Sequence, residues 1–127
     1  MAHYMIFARY EPAVLKMLLD NPDALAARDE HAWKFYGSVG GTVLHWWFVR
    51  DAEWNFVVVV DFPDAEAAHA AVMVGSASGA FATGKLLALA TPEESVSALR
   101  RAWSAGQIFY PPAATPVPDG APEVVPV

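Results

Sequence analysis

The sequence predicts an α+β fold of the ferredoxin-like type, a βαββαβ unit with a four-stranded antiparallel sheet and one extra C-terminal helix. Two observations carry this prediction. Segments of strand and helical character follow one another in the order strand, helix, strand, strand, helix, strand, helix. The two middle strands are joined only by the short polar turn at residues 51–54, so they form a hairpin. The length of 127 residues suits one domain with a sizeable core.

The first half of the unit begins with a strand over residues 3–10, the aromatic run HYMIFARY. Two helical segments follow, residues 12–19 and 24–39. Asn21-Pro22 separates them, because the residue before a proline avoids helical geometry. Gly40-Gly41 ends the second helix.

The middle strands span residues 42–50 and 55–62. The second contains four consecutive valines, residues 57–60. Such an unbroken β-branched run is typical of a strand buried on both faces, which places it inside the sheet.

The second half of the unit has a helix capped by Asp64 and closed by the GSASG segment, then a strand over residues 81–90. TPEE opens the last helix, which runs to about residue 105, with a hydroxyl cap, a first-turn proline and two acids. Six of the ten prolines lie in residues 110–127. We therefore predict a domain over residues 1–106 and a proline-rich mobile tail over residues 107–127.

The helices of such a unit cover one face of the sheet, so the other face needs a cover. The composition is 55% hydrophobic and only 17% charged, which indicates that apolar surface enters an oligomer interface. We expect a homodimer or higher homo-oligomer in which two sheets pack face to face as a dimeric α/β barrel.

Several partners and cofactors are not expected. The net charge is −6 and no basic cluster is present, which argues against nucleic acid. No apolar run approaches the roughly 18 residues of a membrane span, and the first ten residues lack a signal-peptide pattern, which predicts a cytoplasmic protein. There are no cysteines and no two histidines four residues apart, so we expect neither a metal nor another cofactor.

Three stretches resemble a known family: MAHYMIFARYEP, GGTVLHWWFVRDAEWNFVVVVDFPD and ASGAFATGKLLALATPEE. They look like the GYD-domain family, a branch of the dimeric α/β-barrel group, and the resemblance covers residues 2–103. It implies the ferredoxin-like fold and no particular reaction. The family's Gly-Glu-Tyr-Asp turn stands here as Ala52-Glu53-Trp54-Asn55, so its acid is replaced by an amide.

Strand alternation sorts the residues between the two faces. With the hairpin turn at residues 51–54, Phe48 pairs with Val57 and Trp46 with Val59. The face away from the helices then carries these residues: His3, Met5, Phe7, Arg9, Leu44, Trp46, Phe48, Arg50, Asn55, Val57, Val59 and Asp61. A one-residue slip of the register would place His45 and Trp47 there instead.

The candidate site follows from that assignment. The candidate catalytic residues are Asp61 and His45 for proton transfer and Arg9 and Arg50 for holding an oxyanion. The candidate substrate-binding residues are Trp46, Phe48, Phe7 and Lys85. A salt-bridge set at a dimer seam is the favoured alternative for the charged residues, and a hydrogen-bonded core position for His45.

Two functions fit these residues. One is a small-molecule-binding barrel, acting as a cofactor-free monooxygenase, cyclase or isomerase on a hydrophobic or aromatic substrate held between two sheets. The other is a non-catalytic assembly module, whose sheet face is only an interface and whose tail, ending in APEVVPV, docks to a protein partner.

Overall fold

A computed structural model describes residues 1–114 and 116–118 of the chain. The elements, in chain order, are β1 (Ala2–Tyr10), α1 (Pro12–Asp20), α2 (Ala24–Gly37), β2 (Thr42–Phe48), β3 (Phe56–Phe62), α3 (Ala65–Ala77), β4 (Phe81–Leu89), α4 (Pro92–Gly106) and a 3₁₀ turn (Pro112–Ala114). Contacts divide the chain into two compact units, one spanning Met1–Ala90 and the other beginning at Thr91.

The first unit is built on a four-stranded antiparallel sheet with the order β2-β3-β1-β4. This order, with helices between β1 and β2 and between β3 and β4, confirms the predicted ferredoxin-like arrangement. The valine-rich strand β3 lies between β1 and β2, as its unbroken apolar run predicts. The edge strands are β2 and β4.

The core lies between the sheet and the helices. Burial alternates along β1 and β3, so Tyr4, Ile6 and Ala8 face the helices together with Val58 and Val60. The helices contribute Ala32 and Tyr36 from α2, and Ala68 and Ala71 from α3. The predicted division of β1 and β3 between the two faces is therefore confirmed.

Two glycines make the turn from α2 into β2 possible. Gly40 has a φ of 83°, a left-handed conformation that side chains with a Cβ rarely adopt. At Gly41, a Cβ would lie 2.9 Å from the backbone oxygen of Tyr36, so only hydrogen fits there. The Gly40-Gly41 pair thus lets β2 begin directly against the end of α2.

The hairpin turn between β2 and β3 is organised by two side chains. The Asp51 carboxylate accepts hydrogen bonds from the backbone amides of Glu53 (2.9 Å) and Trp54 (3.1 Å), and these bonds lower the pKa of Asp51. Asn55 is buried, and its Oδ1 accepts a hydrogen bond from the backbone N–H of Tyr10 at 2.8 Å. The amide oxygen at this position therefore ties the start of β3 to the end of β1.

The second unit contains α4, whose start follows the predicted TPEE signal. The Thr91 hydroxyl accepts from the Glu94 N–H, and the Glu94 carboxylate accepts from the Thr91 N–H, so both halves of a capping box form. Its apolar side chains Val96, Leu99 and Trp103 are exposed. In the described part of the chain, no helix has the length and apolarity needed to cross a membrane. The predicted docking segment APEVVPV lies outside the described residues.

Candidate functional site

The sheet presents two surfaces with chemistry-bearing residues. We call the face opposite α2 and α3 the open face, because within residues 1–90 no helix packs on it. The second surface is a cavity on the other side of the sheet, between the sheet, α2 and α3, which we call the cleft.

The register in which β2 pairs with β3 differs from the predicted one. Val43 pairs with Val60 and His45 with Val59, so the register shifts by one residue at Leu44, a β-bulge. Beyond the bulge, Trp46 pairs with Val58 and Phe48 with Phe56, both residues of the helix-covered face. The predicted placement of Trp46 and Phe48 on the open face is wrong, because one extra residue exchanges the faces of all that follow.

Trp46 instead joins the core. Its ring stacks on Phe56 with centroids 5.8 Å apart and planes 13° apart, and it packs against the core as a half-buried side chain. His45 and Trp47 take the open face and stack on each other at 4.3 Å. The expected core position of His45 is therefore also wrong.

This assignment predicts unequal effects for two neighbouring tryptophans. We expect Trp46→Ala to lower the free energy of unfolding by about 2–3 kcal/mol, since it removes a ring packed on the core. Trp47→Ala is expected to cost less than about 1 kcal/mol, because Trp47 is 57% exposed. Urea denaturation in dilute solution measures both. Equal losses, or a larger loss for Trp47→Ala, would contradict the bulge.

The open face carries five of the predicted site residues: Phe7 and Arg9 on β1, His45 on β2, Asp61 on β3, and Lys85 on β4. Phe7 pairs with Lys85, and its ring meets that of Trp54 edge-on at 4.6 Å. Lys85 lies on the edge strand and also borders the cleft. Arg50 lies two residues beyond the end of β2 and is exposed.

His3 lies on this face, as the alternation of β1 predicts, although it was not among the candidate site residues. His3 pairs with Asp61 across β1 and β3, and the His3 imidazole is hydrogen-bonded to the Asp61 carboxylate. Both side chains are partly buried. To predict this pair one needs the register between β1 and β3, which are adjacent in the sheet but distant in the sequence.

The cleft has a volume of about 720 Å³ and lies within the first unit. Its walls are mainly apolar, with many aromatic and small residues, and they also carry polar side chains: Arg28, His31, Ser76, Ser78, Thr83 and Lys85. The aromatic lining residues are Tyr10, Phe35, Tyr36, Trp46, Phe56 and Phe81, and the small ones include Ala8, Ala71, Gly75 and Gly84. This volume lies within the usual range of about 300–1,000 Å³ for small-molecule pockets. The small residues leave the space, and the rings form much of its apolar wall.

Two tyrosine hydroxyls of the cleft interact with one arginine, Arg28. Burial raises the pKa of the Tyr36 hydroxyl to about 12, with a further contribution from Tyr10, while Arg28 opposes the shift. Burial also raises the pKa of Tyr10, whose hydroxyl lies near Arg28, again with Arg28 acting in the opposite direction. The two hydroxyls therefore stay protonated at neutral pH beside a permanent positive charge.

Arg28 also borders a second cavity. A hollow of about 430 Å³ against α1 shares Tyr10, Arg28 and Ala80 with the cleft and is lined by Val14, Leu18 and Ala24. Arg28 thus borders both cavities, and Asp20 and Asn21 add polar groups to the second one. The sequence signal for Arg28 was its helical spacing with Ala32, Phe35 and Tyr36, which places all four residues on one side of α2.

Within the described residues, no three histidine, aspartate or glutamate side chains come together in a group suited to a metal ion. A family model described as GYD domain matches residues 4–99, which is most of the chain and includes both surfaces. No curated protein matches the sequence significantly.

Proposed function

The chain belongs to the GYD domain family, and from the geometry of its cleft we propose that it binds a small, flat, hydrophobic molecule that carries an acidic oxygen. The observation that supports this most directly is the position of Arg28 beside the Tyr10 and Tyr36 hydroxyls in a mainly apolar cavity of about 720 Å³. A few polar groups in an apolar pocket are the usual arrangement for orienting a small ligand.

The ligand class follows from these groups. A guanidinium beside two hydroxyl donors favours a carboxylate, phenolate or enolate oxygen. The rings of Trp46, Phe56 and Phe81 offer flat apolar surfaces to the remainder of the molecule. A neutral molecule of the same shape would leave Arg28 without a charge partner and would bind more weakly.

The same groups can move a proton. Tyr10 and Tyr36 keep their protons at neutral pH, so either hydroxyl can donate to a carbonyl oxygen, while Arg28 stabilises the negative charge that develops there. This chemistry suits an isomerisation or cyclisation that proceeds through an enolate and needs no cofactor. We place it in the cleft within one chain, and not between two sheets.

The binding proposal is tested with 2-naphthoate and its neutral amide as probes, using isothermal titration calorimetry. We expect Arg28→Met to weaken 2-naphthoate binding about 10–100-fold, since hydrogen bonds to charged groups contribute about 1.5–3 kcal/mol. Binding of the amide should change little. Gly75→Leu, which fills the cleft beside Phe81, should weaken both probes.

The matched control is Arg9→Met, the same substitution on the open face. It should leave 2-naphthoate binding unchanged. If Arg9→Met weakened binding and Arg28→Met did not, the ligand would occupy the open face and the proposal would fail. Thermal unfolding of each variant checks that the fold is intact.

A second function, assembly through the open face, is favoured by the large apolar side chains exposed there, Trp47, Leu87 and Leu89. It does not compete with ligand binding, because the two surfaces lie on opposite sides of the sheet.

A further inference from the structure

Three polar groups of the cleft keep their protons at neutral pH. Tyr10 and Tyr36 have raised pKa values, and Arg28 carries a permanent positive charge. These groups can donate to a carbonyl oxygen and stabilise the charge of an enolate. None of them can take a proton from carbon, so a reaction through an enolate needs a base in addition to these three groups.

The lining of the cleft offers one side chain for that role, His31. Among the described residues that line the cleft there is no aspartate or glutamate, and the only histidine is His31. The ammonium group of a lysine such as Lys85 has no lone pair with which to accept a proton. Histidine is the side chain that most often accepts a proton in catalysis near neutral pH.

The position of His31 on α2 suits a base. His31 follows Arg28 by three residues, a spacing that places two Cβ atoms about 5–6 Å apart on one side of a helix. The His31 ring lies parallel to that of Phe35, another wall residue, with centroids 6.3 Å and planes 8° apart. Phe35 is half-buried and His31 is exposed, so the imidazole lies at the mouth of the cleft, where it can exchange its proton with water.

The imidazole of His31 is not engaged by other side chains. Within residues 1–114 and 116–118, no hydrogen bond or ion pair involves its nitrogens. The neighbouring carboxylate of Glu30 is ion-paired with Lys34 at 3.1 Å. A neutral imidazole has one acceptor nitrogen, and that of His31 is therefore available to a ligand in the cleft.

We propose that His31 is the base of the cleft and that the ligand is an enolisable carbonyl compound, a flat ketone or ester with an acidic C–H beside its carbonyl group. This inference rests on the proposed function, because it concerns the same cleft.

The step is a proton transfer that needs no other reactant. A nitrogen of His31 takes the proton from carbon, the electron pair of the C–H bond becomes the C=C bond of the enolate, and the carbonyl π pair moves to oxygen. Arg28 and a tyrosine hydroxyl hold that oxygen. Return of the proton from the imidazolium to the same carbon regenerates the ketone, and its return to the far end of a conjugated enolate gives an isomer.

Deuterium uptake tests this step. The probe is 2-tetralone, a bicyclic ketone whose C1 hydrogens lie between an aromatic ring and the carbonyl group. In D₂O the proton on the imidazolium is replaced from solvent, so enolisation places deuterium at C1, and proton NMR follows the loss of that signal. His31→Ala should slow the exchange by about 100-fold or more, the usual contribution of a general base. The matched control is His69→Ala, at an exposed histidine of α3 outside the cleft, which should exchange at the wild-type rate.

Added imidazole separates a chemical role of His31 from a structural one. Imidazole can enter the space left in His31→Ala and should restore exchange above the rate that it produces without protein. The double variant His31→Ala/Arg28→Met should show no such recovery, because it cannot hold the enolate oxygen. Absence of recovery in His31→Ala, an equal rate in His31→Ala and the wild type, or a wild type no faster than buffer would each overturn the proposal.

Binding of 2-naphthoate separates this inference from the proposed function, since an acid that is already ionised needs no base. Calorimetry should give nearly unchanged 2-naphthoate binding to His31→Ala, which also shows that the variant is folded. Binding of 2-naphthoate that depends on Arg28, together with exchange that does not depend on His31, would reject the base and keep the binding site. Loss of the dependence on Arg28 would reject the cleft itself.

Discussion

Replacing Phe62 with alanine is expected to lower the free energy of unfolding by about 3–5 kcal/mol. The side chain is fully buried at the end of β3. Its ring packs edge-on against those of Tyr4 and Tyr36, with centroids 5.5 Å and 6.0 Å apart. It therefore joins β1 to α2. Alanine would leave a cavity bordered by both tyrosines and by Gly41, which already lies tightly against the backbone oxygen of Tyr36 and so has little room to move inward.

Urea denaturation of the whole chain measures this loss. Phe48→Ala is the control, because it removes the same side chain from a position that is 39% exposed, and we expect it to cost less than half as much. A loss below about 1 kcal/mol for Phe62→Ala would mean that this ring does not join β1, β3 and α2.

Alkaline pH is expected to destabilise the fold through Tyr36. The pKa of Tyr36 is raised from 10.0 to about 12 in the folded chain, chiefly by burial. A folded pKa above the unfolded one means that this contribution is fully present below pH 10 and is lost as the pH rises through about 12. A pKa difference of two units corresponds to about 3 kcal/mol in the free energy of unfolding.

The measurement compares urea denaturation of the wild type and of Tyr36→Phe at pH 9, 10, 11 and 12. The wild type should lose stability more steeply above pH 10, while the variant retains the ring and lacks the titrating hydroxyl. Parallel curves for the two proteins would show that Tyr36 ionises at its ordinary pKa and that its hydroxyl is reached by water. The difference between the curves removes the contribution of the other titrating groups.

The sequence was most informative where a residue pattern has one physical interpretation. The unbroken valines at 57–60 have no polar face to turn towards water, and β3 lies inside the sheet. The alternation of β1 was equally clear, because Ala8 is small enough for close packing under the helices, and Ala8 is buried on that face.

The face of β2 could not be predicted in the same way. Four consecutive positions carry bulky rings: His45, Trp46, Trp47 and Phe48. The hydrophobic pattern therefore fits either assignment of these residues to the two faces. The choice is made by Val43, which must pair with Val60 in the core, and by Trp46, which stacks on Phe56. Val43 and Trp46 can both face the helices only if one residue between them is not paired with β3.

The candidate site was predictable only in part for a related reason. Phe7, Arg9, Asp61 and Lys85 share the open face because alternation within each strand is local information. The cleft depends on α2, α3 and all four strands meeting on one side of the sheet, and the His3–Asp61 pair depends on the register of two strands distant in the sequence. Neither relationship is present in any one segment.

The bulge at Leu44 has a consequence for evolution within the family. In β2 the two core-facing residues Val43 and Trp46 are three positions apart, although the period of a strand is two. A homologue whose β2 has no bulge would keep the same residues on each surface only if its sequence had one residue fewer at this point. Insertions and deletions at position 44, rather than substitutions, are therefore the changes through which a related chain could exchange the aromatic residue that lines the cleft for the one on the open face.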